Sequence, residues 1–467
     1  MRNPFFQSAL IAGCGLAVAT QLSAQTFTTL QTSSGGSQAG LVSSGNVLYG
    51  TSFGGGRLVG GTVFAINSDG TGFTNLYEFS WVRVTSGPGD PLGPGTNSNG
   101  AFPRAGLVLS GNTLYGITRF GGVFGEGVIF RINTDGTGFT NLHSLATSEG
   151  TGARAGLILS GNTLYGAGQG GGNFGRGALF AVNTDGTGFT NLHHFNLSDG
   201  EQPSGTLALS GGTLYGTTYG GAASGAGAIF KINTDGTGFT NLRHFIEGST
   251  ANNGGAPFAG LALSGSVLYG VTTYGGISGA GTIFRMNTDG TGFNNLHQFR
   301  GLDGANAKAS LLLRGNTLFG STSGGGSNNN GTIFAVQTDG SGFTNLHVFA
   351  VGGSLGNGTN IGGATPYCDL TLEGNTLYGT TQWGGAAGNG TVFSISLPIP
   401  QLKIVSSAAN VVLTWPANSP GFSLEYSTSF GSSAEWSPVL PGSTVVDGQH
   451  TVTHPISDSR NFYRLSQ

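Results

Sequence analysis

Four histidines lie in one local setting, His143, His193, His297 and His347 each following Asn-Leu. Imidazoles at recurring spacing could be zinc ligands or general bases, so whether their rings can converge decides whether they do chemistry. The same slot holds Tyr77 and Arg243 in two further copies. Asp135, Asp185, Asp235 and Asp289 recur in Asn-Thr-Asp-Gly-Thr-Gly. A calcium loop needs a run of alternating oxygen ligands, which is missing here, whereas Asp-Gly alone is the composition of a tight hairpin turn. Gly50-Thr51-Ser52-Phe53-Gly54 fits the nucleophile-elbow pattern, and Gly170 to Gly175 fits G-x-G-x-x-G. Both motifs work only where a helix follows, and no helical period follows either. With 90 glycines in 467 residues, such matches also arise by chance. Arg104, Arg154, Lys308, Asp199, Glu201 and Asp303 are the remaining candidates for an active site, and they form no recognised acid, base and nucleophile constellation.

The elements that must position these residues are repeats. Leu-Tyr-Gly, once Leu-Phe-Gly, begins at Leu48, Leu114, Leu164, Leu214, Leu268, Leu318 and Leu377, so the period is 50 to 66 residues. Within one repeat, short β-prone runs at 106–109, 113–118, 127–133 and 139–145 are separated by Ser-Gly-Asn and Asp-Gly turns. Four antiparallel strands in about 50 residues match one blade of a β-propeller. The absence of a 3.6-residue period excludes helical solenoids. The seventh copy stops at Ser396 without its fourth strand, and Thr26-Phe27-Thr28-Thr29-Leu30 matches the missing piece. The expectation is an all-β, seven-bladed propeller over 25–397, closed by the N-terminal strand. Fourth strands then lie at the rim of different blades, which keeps the four histidines too far apart for a shared metal, so they are expected to pack blades together. After Pro398-Ile399-Pro400 the texture changes, and 398–467 reads as a small β-sandwich.

The repeats resemble the Gloeo-Verruco (GloVer) tandem repeats of exported bacterial proteins that carry varied C-terminal anchoring segments. The resemblance rests on LYGTTYGGAASGAGAIFKINTDGTGFTNLRHF at 214–245 and its copies over roughly 26–396. It implies export and a propeller-like fold, and it supplies no catalytic residues. The C-terminal segment resembles a fibronectin type III or immunoglobulin-like module, without the cysteine pair of antibody domains.

The start of the chain carries its own signal. Arg2 precedes an apolar run from Ala9 to Ala19 and then Gln21-Leu22-Ser23-Ala24-Gln25, the pattern of a secretory signal peptide cut after Ala24 and too short to span a membrane. Ile11-Ala12-Gly13-Cys14 offers the alternative of a lipid-acylation box. If the leader is removed, Cys368 is the one cysteine left and no intramolecular disulfide can form. The expected location is therefore secreted or attached to the cell envelope, with no transmembrane segment in the mature chain. A net charge of −3 and the lack of a basic run exclude nucleic acid as a partner. No cofactor is implied, and a monomer is expected.

Because antiparallel strands alternate in direction, the Ser-Gly-Asn and Asp-Gly turns fall on one face of the ring. The second-to-third loops and inter-blade connections fall on the other, which holds nearly all non-repeating residues, including Trp81, Arg83 and Asp90. On this variable face, Gln38, Arg104, Arg154, Ser204, Phe258, Lys308 and Tyr367 occupy equivalent slots just before the first strand and should ring the mouth of the central channel. Phe53, Phe120, Tyr219, Tyr274 and Trp383 stand at the end of the second strand, ahead of a glycine pair. Aromatics and cations around a shallow mouth suit a polar or anionic extracellular glycan or a peptide or protein. The sequence thus favours an exported, non-catalytic binding or surface-interaction protein. A polysaccharide-acting lyase or hydrolase and a purely structural envelope protein remain the alternatives.

Overall fold

The computed structural model describes residues 25–33, 35–81, 95–246, 254–350, 360–398, 400–407, 409–416, 422–429, 431, 434–439, 442–446, 449–455 and 461–466. The expected leader 1–24 with Cys14, the loop residues Arg83 and Asp90, and Ile399 of the proline segment lie outside them. Among the described residues the protein is built from antiparallel sheets, with two single-turn 3-10 helices and no helix long and apolar enough to cross a membrane.

One sheet of each kind shows how the repeats fold. The second sheet runs Val108–Ser110, Thr113–Ile117, Val128–Asn133 and Thr140–Ser144, each strand paired with the next. Ser110 opposes Thr113 across a two-residue turn in which Gly111 takes φ 55°, a conformation that disfavours a side chain. The Asp-Gly turn is held by its own carboxylate: Asp135 Oδ1 accepts from the Thr137 amide at 2.9 Å and from its hydroxyl at 2.6 Å. Asp69, Asp185, Asp235, Asp289 and Asp339 make the same bonds, which hold each carboxyl below its ordinary range. These carboxylates therefore serve the turns, as the Asp-Gly composition suggested. The seventh sheet places Thr26–Thr32 beside Thr391–Ser396, followed by Thr376–Thr380 and Thr371–Glu373. In the fourth sheet an extra short strand, Glu201–Pro203, pairs with Thr213–Gly220.

The glycine of Leu-Tyr-Gly has a steric cause rather than a torsional one. A Cβ on Gly116 would lie 2.4 Å from Phe130 Cζ and 2.8 Å from Leu107 Cδ2, and Gly50, Gly166, Gly216, Gly270 and Gly320 are pressed in the same way. The tip of the third-strand phenylalanine ring fills the space over this glycine, and Phe130, Phe180, Phe230, Phe284 and Phe334 are fully buried. Each contributes roughly 1.5–3 kcal/mol of burial.

Adjacent sheets share cores. Tyr115 and Ile129 of the second sheet pack with Leu164 and Phe180 of the third, and the pattern repeats around the molecule. It includes Leu41, Leu48 and Phe64 of the first sheet against Tyr378 and Val392 of the seventh. Hydroxyls tie one repeat to the next: Thr51 Oγ1 donates to the Ala105 carbonyl, Thr217 to Ala259, and Thr380 back to Ala39 at 2.9 Å.

The outer strands are joined by ring stacking. Tyr77 lies on Phe139, His143 on Phe189, His193 on Phe239, His297 on Phe343 and His347 on Phe27, with centroids 3.7 to 4.0 Å apart and planes within 9°. In a further pair of this series, the Arg243 guanidinium takes the imidazole's place, 3.5 Å from the Phe293 centroid. The histidines are thus spread one per sheet and hold neighbouring repeats together.

Past the repeats, Lys403–Ser407, Asn410–Pro416, Gln449–Pro455 and Thr444–Val446 form one sheet, and Ser437–Pro438, Ser423–Ser427 and Phe462–Ser466 another. The two sheets share a core of Leu413, Trp415, Leu424, Val439, Val452 and Tyr463.

Candidate ligand-binding site at the channel mouth

Each repeat approaches the centre through a residue in the left-handed region. Phe102, Gln202, Ala256, Asn306 and Thr365 have φ between 53° and 57°, and Gly36 and Gly152 take the equivalent places at 63° and 65°. A side chain in this region costs about 1–3 kcal/mol and persists only where surroundings over-determine it. Here backbone bonds clamp it from both sides: Phe102 N–H donates to the Gly60 carbonyl, and its own carbonyl accepts from Arg119 N–H. Two residues further on stand Gln38, Arg104, Arg154, Ser204, Phe258, Lys308 and Tyr367, so one backbone device aims all seven side chains.

These seven residues meet around a central channel. Gln38, Arg104, Arg154, Phe258, Lys308 and Tyr367, with Tyr219 and Gln382, line a cavity of about 280 Å³. Beneath it a narrower space of about 60 Å³ is walled by Gly40, Gly106, Gly156, Thr206, Gly260, Ser310 and Asp369. Asp369 lies in this throat, where Ser310 N–H donates to its Oδ1 at 2.6 Å and burial pushes its carboxyl up.

The second-strand aromatics are not one set. Counted from Leu-Tyr-Gly, Phe53, Arg119, Tyr219 and Gln382 share one slot, while Phe120, Tyr274 and Trp383 occupy the next. Successive side chains of a strand point to opposite sides, so the two slots cannot both face the channel. Tyr219 and Gln382 line the cavity, whereas Phe120, Tyr274 and Trp383 do not. Phe120 packs edge-on against Phe102, and Tyr274 and Trp383 are 46% and 41% exposed. Arg119 is the residue this shifted count had hidden.

The cations are half-buried rather than solvated. Arg104 lies 3.9 Å from the Phe53 centroid, Arg119 4.9 Å from that of Phe120 and Arg154 5.7 Å from that of Phe258. The Nε of each of these three arginines is buried without a hydrogen-bond partner. Burial, then the charges of Arg119 and Arg154, pulls Arg104 down to about 9, and burial followed by Arg154 pulls Arg119 to about 10. Both remain cations at neutral pH. Lys308 Nζ donates to the Tyr367 hydroxyl at 3.1 Å, and Tyr219, raised by burial and by Tyr274, lies edge-on to Phe258.

The acidic candidates are elsewhere. Asp199 accepts from His193 and Asp303 from His297, at 3.1 and 3.0 Å, and Glu201 pairs with Arg176. None of the three lines the cavity. Ser52 is buried and bonded to Thr62 at 2.7 Å, and Cys368 is buried with its thiol pushed up to about 12, which leaves both groups unreactive. No group of three His, Cys, Asp or Glu side chains placed to hold a metal occurs among the described residues.

Repeated four-stranded antiparallel sheets packed side by side around a channel define an all-β, propeller-like protein. The chain belongs to the Gloeobacter/Verrucomicrobia repeat family, whose model matches residues 94–277 and again 248–412, together more than half its length. No curated protein sequence matches it. Among solved structures it is similar to an oligogalacturonate lyase in complex with manganese, with TM-score 0.51 and 13% identity over 81% of this chain and 95% of that one. It is also similar to the GH74 enzyme of Niastella koreensis, with TM-score 0.49 and 16% identity over 94% of this chain and 72% of that one. At such identities the likeness is one of fold.

Proposed function

We propose that this protein is an exported binding protein: a seven-bladed propeller over 25–397 that recognises an anionic extracellular glycan or peptide at its channel mouth. The observation that carries the reading is that Arg104, Arg154 and Lys308 line one cavity, with Arg119 close enough to Arg104 to repel it, and that no carboxylate lies within ion-pair distance of any of the four among the described residues. Buried charge is normally paired, and an unpaired cluster of like charge is what an anion would complete. Phe258, Tyr367 and Tyr219 add stacking surfaces inside the cavity, and Tyr274 and Trp383 add exposed ones outside it.

The reading extends to the whole chain. Cleavage of a signal peptide after Ala24 leaves Thr26–Thr32 free to complete the seventh blade, whose sheet it joins. Residues 398–467 act as a separate β-sandwich of fibronectin III or immunoglobulin type, and the mature protein is secreted or envelope-associated. A non-catalytic role is supported by the commitment of Asp199, Glu201 and Asp303 to ion pairs outside the cavity.

Screening the purified protein from residue 25 onward against an array of neutral and acidic glycans, with product analysis of every hit, tests this. Binding of acidic glycans without new chain ends supports the proposal. Turnover replaces it with the polysaccharide-acting enzyme, and silence with the structural envelope protein.

A further inference from the structure

The mouth is more specific than a basic patch. Its wall is closed on every side, because the segments before all seven inner strands contribute to it. A polymer lying across the molecule could not lower an internal unit into such a well without bending over the rim. The space is also small: about 280 Å³ at the mouth and about 60 Å³ in the throat, the latter room for a few waters. The upper volume sits at the small end of ligand pockets, which suits a single ring rather than an oligomer.

The wall is basic in two places, at Arg104 and Arg154 and again at Lys308 of the sixth repeat. Arg104, Arg119 and Arg154 come from the second and third repeats and repel one another. The Nε–H of each is closed off from solvent without an acceptor, so a ligand in the cavity meets the guanidinium ends of the two that line it, Arg104 and Arg154. The two Nη groups at the end of a guanidinium form a fork that grips an oxyanion in two parallel bonds. Tyr219 and Phe258, from the fourth and fifth repeats, meet edge to face on the cavity wall. The amides of Gln38 and Gln382 supply donors and acceptors for hydroxyls.

Resting on the anion-binding reading above, we infer that the site takes a chain end: a terminal sugar ring bearing a carboxylate or phosphate, inserted end-on with its oxyanion on the Arg104 and Arg154 forks. The ring face packs on Tyr219 and Phe258, its hydroxyls meet Gln38 and Gln382, and the rest of the chain leaves straight into solvent.

Calorimetry on the chain from residue 25 tests this with glucuronate, glucose 6-phosphate, glucose, an acidic disaccharide, an acidic decasaccharide and a short peptide with a free carboxylate. The expected result is binding of glucuronate or glucose 6-phosphate, which tells carboxylate from phosphate, and none of glucose. The disaccharide and decasaccharide should each bind one protein per chain. Arg154→Gln should weaken the acidic sugars about thirtyfold or more. Arg154→Lys, which keeps the charge but loses the fork, should weaken them about tenfold, and its thermal midpoint shows that it is folded. Protein bound in proportion to chain length overturns end-on insertion while leaving anion binding intact. Binding of the peptide alone overturns the sugar, equal affinity of Arg154→Lys and the parent overturns the fork, and indifference to every acidic probe removes the underlying reading.

Discussion

Replacing Phe27 by Ala probes whether the N-terminal strand is a structural member or an ornament. Phe27 stacks on His347 at 3.8 Å, lies 5.4 Å from Phe393 and meets Phe349 edge-on at 5.8 Å. Phe239, inside the fourth repeat, has the same three relations to His193, Phe230 and Phe195. Truncating a fully buried Phe costs about 3–5 kcal/mol, and both rings are half-buried, so about 2 kcal/mol of packing is at stake. The favourable ring geometry adds about 0.5–1 kcal/mol. Both variants should therefore lose about 2–3 kcal/mol. In a closed ring the first strand is as integral as an internal one, so the two denaturant midpoints should fall together. Urea unfolding followed by circular dichroism reads this directly. If Phe239→Ala lowers the midpoint and Phe27→Ala leaves it unmoved, the strand merely frays at an edge and the closure argument fails.

Other substitutions separate the remaining ideas. Gly116→Ala drives a Cβ to within 2.4 Å of Phe130 and should cost about 1–3 kcal/mol by overpacking, measured as a lowered thermal midpoint. Arg104→Gln relieves repulsion in a desolvated cluster and should raise the thermal midpoint of the ligand-free protein, while a lowered midpoint would mean the cation has a structural partner. Burial holds His347 down at about 4, with His193 and His297 also lowered, so the unfolded chain binds these protons more readily than the native one. Stability should thus be full above about pH 6.5 and decline as pH falls toward 4. His347→Phe should flatten that slope in urea midpoints taken across the range. Limited proteolysis should cut near Pro398 and Pro400 and release a folded C-terminal fragment. Unfolding of both parts in one transition without such a cut would join them in one domain.

Most of the scaffold could be read from the chain because each feature occurs several times. One Asp-Gly is an ambiguous turn, but Asp135, Asp185, Asp235 and Asp289 in one setting fix a strand boundary in four repeats. The rim role of the histidines followed from the same counting, since rings on separate outer strands cannot meet. The site was harder because it is where repetition stops. Counting aromatics from the glycine pair shifted the register by one residue, which merged Tyr219 with Tyr274 and concealed Arg119. In a strand, one residue is the difference between facing the channel and facing away from it. The left-handed residue before the mouth gave no signal either, because Phe102, Gln202, Ala256, Asn306 and Thr365 share no composition. That conformation is imposed by neighbouring repeats through backbone bonds.

The N-terminal strand has a consequence for how the molecule is made. Residues 26–32 are made before every other described strand, yet their partner strand, Thr391–Ser396, is the last strand of the repeats to be synthesised. At about 5–20 residues per second the wait is roughly 20–70 s. During that time the segment must neither fold locally nor pair with a wrong edge. Its sequence is suited to idling, with four threonines and a glutamine around only Phe27 and Leu30. Joining ends so far apart makes the last step a long-range closure, slow by topology rather than by weakness of the contacts. Newly made chains should therefore pass through an open-ringed species whose seventh sheet has a bare edge, and a factor that holds nascent chains would be needed most at that moment.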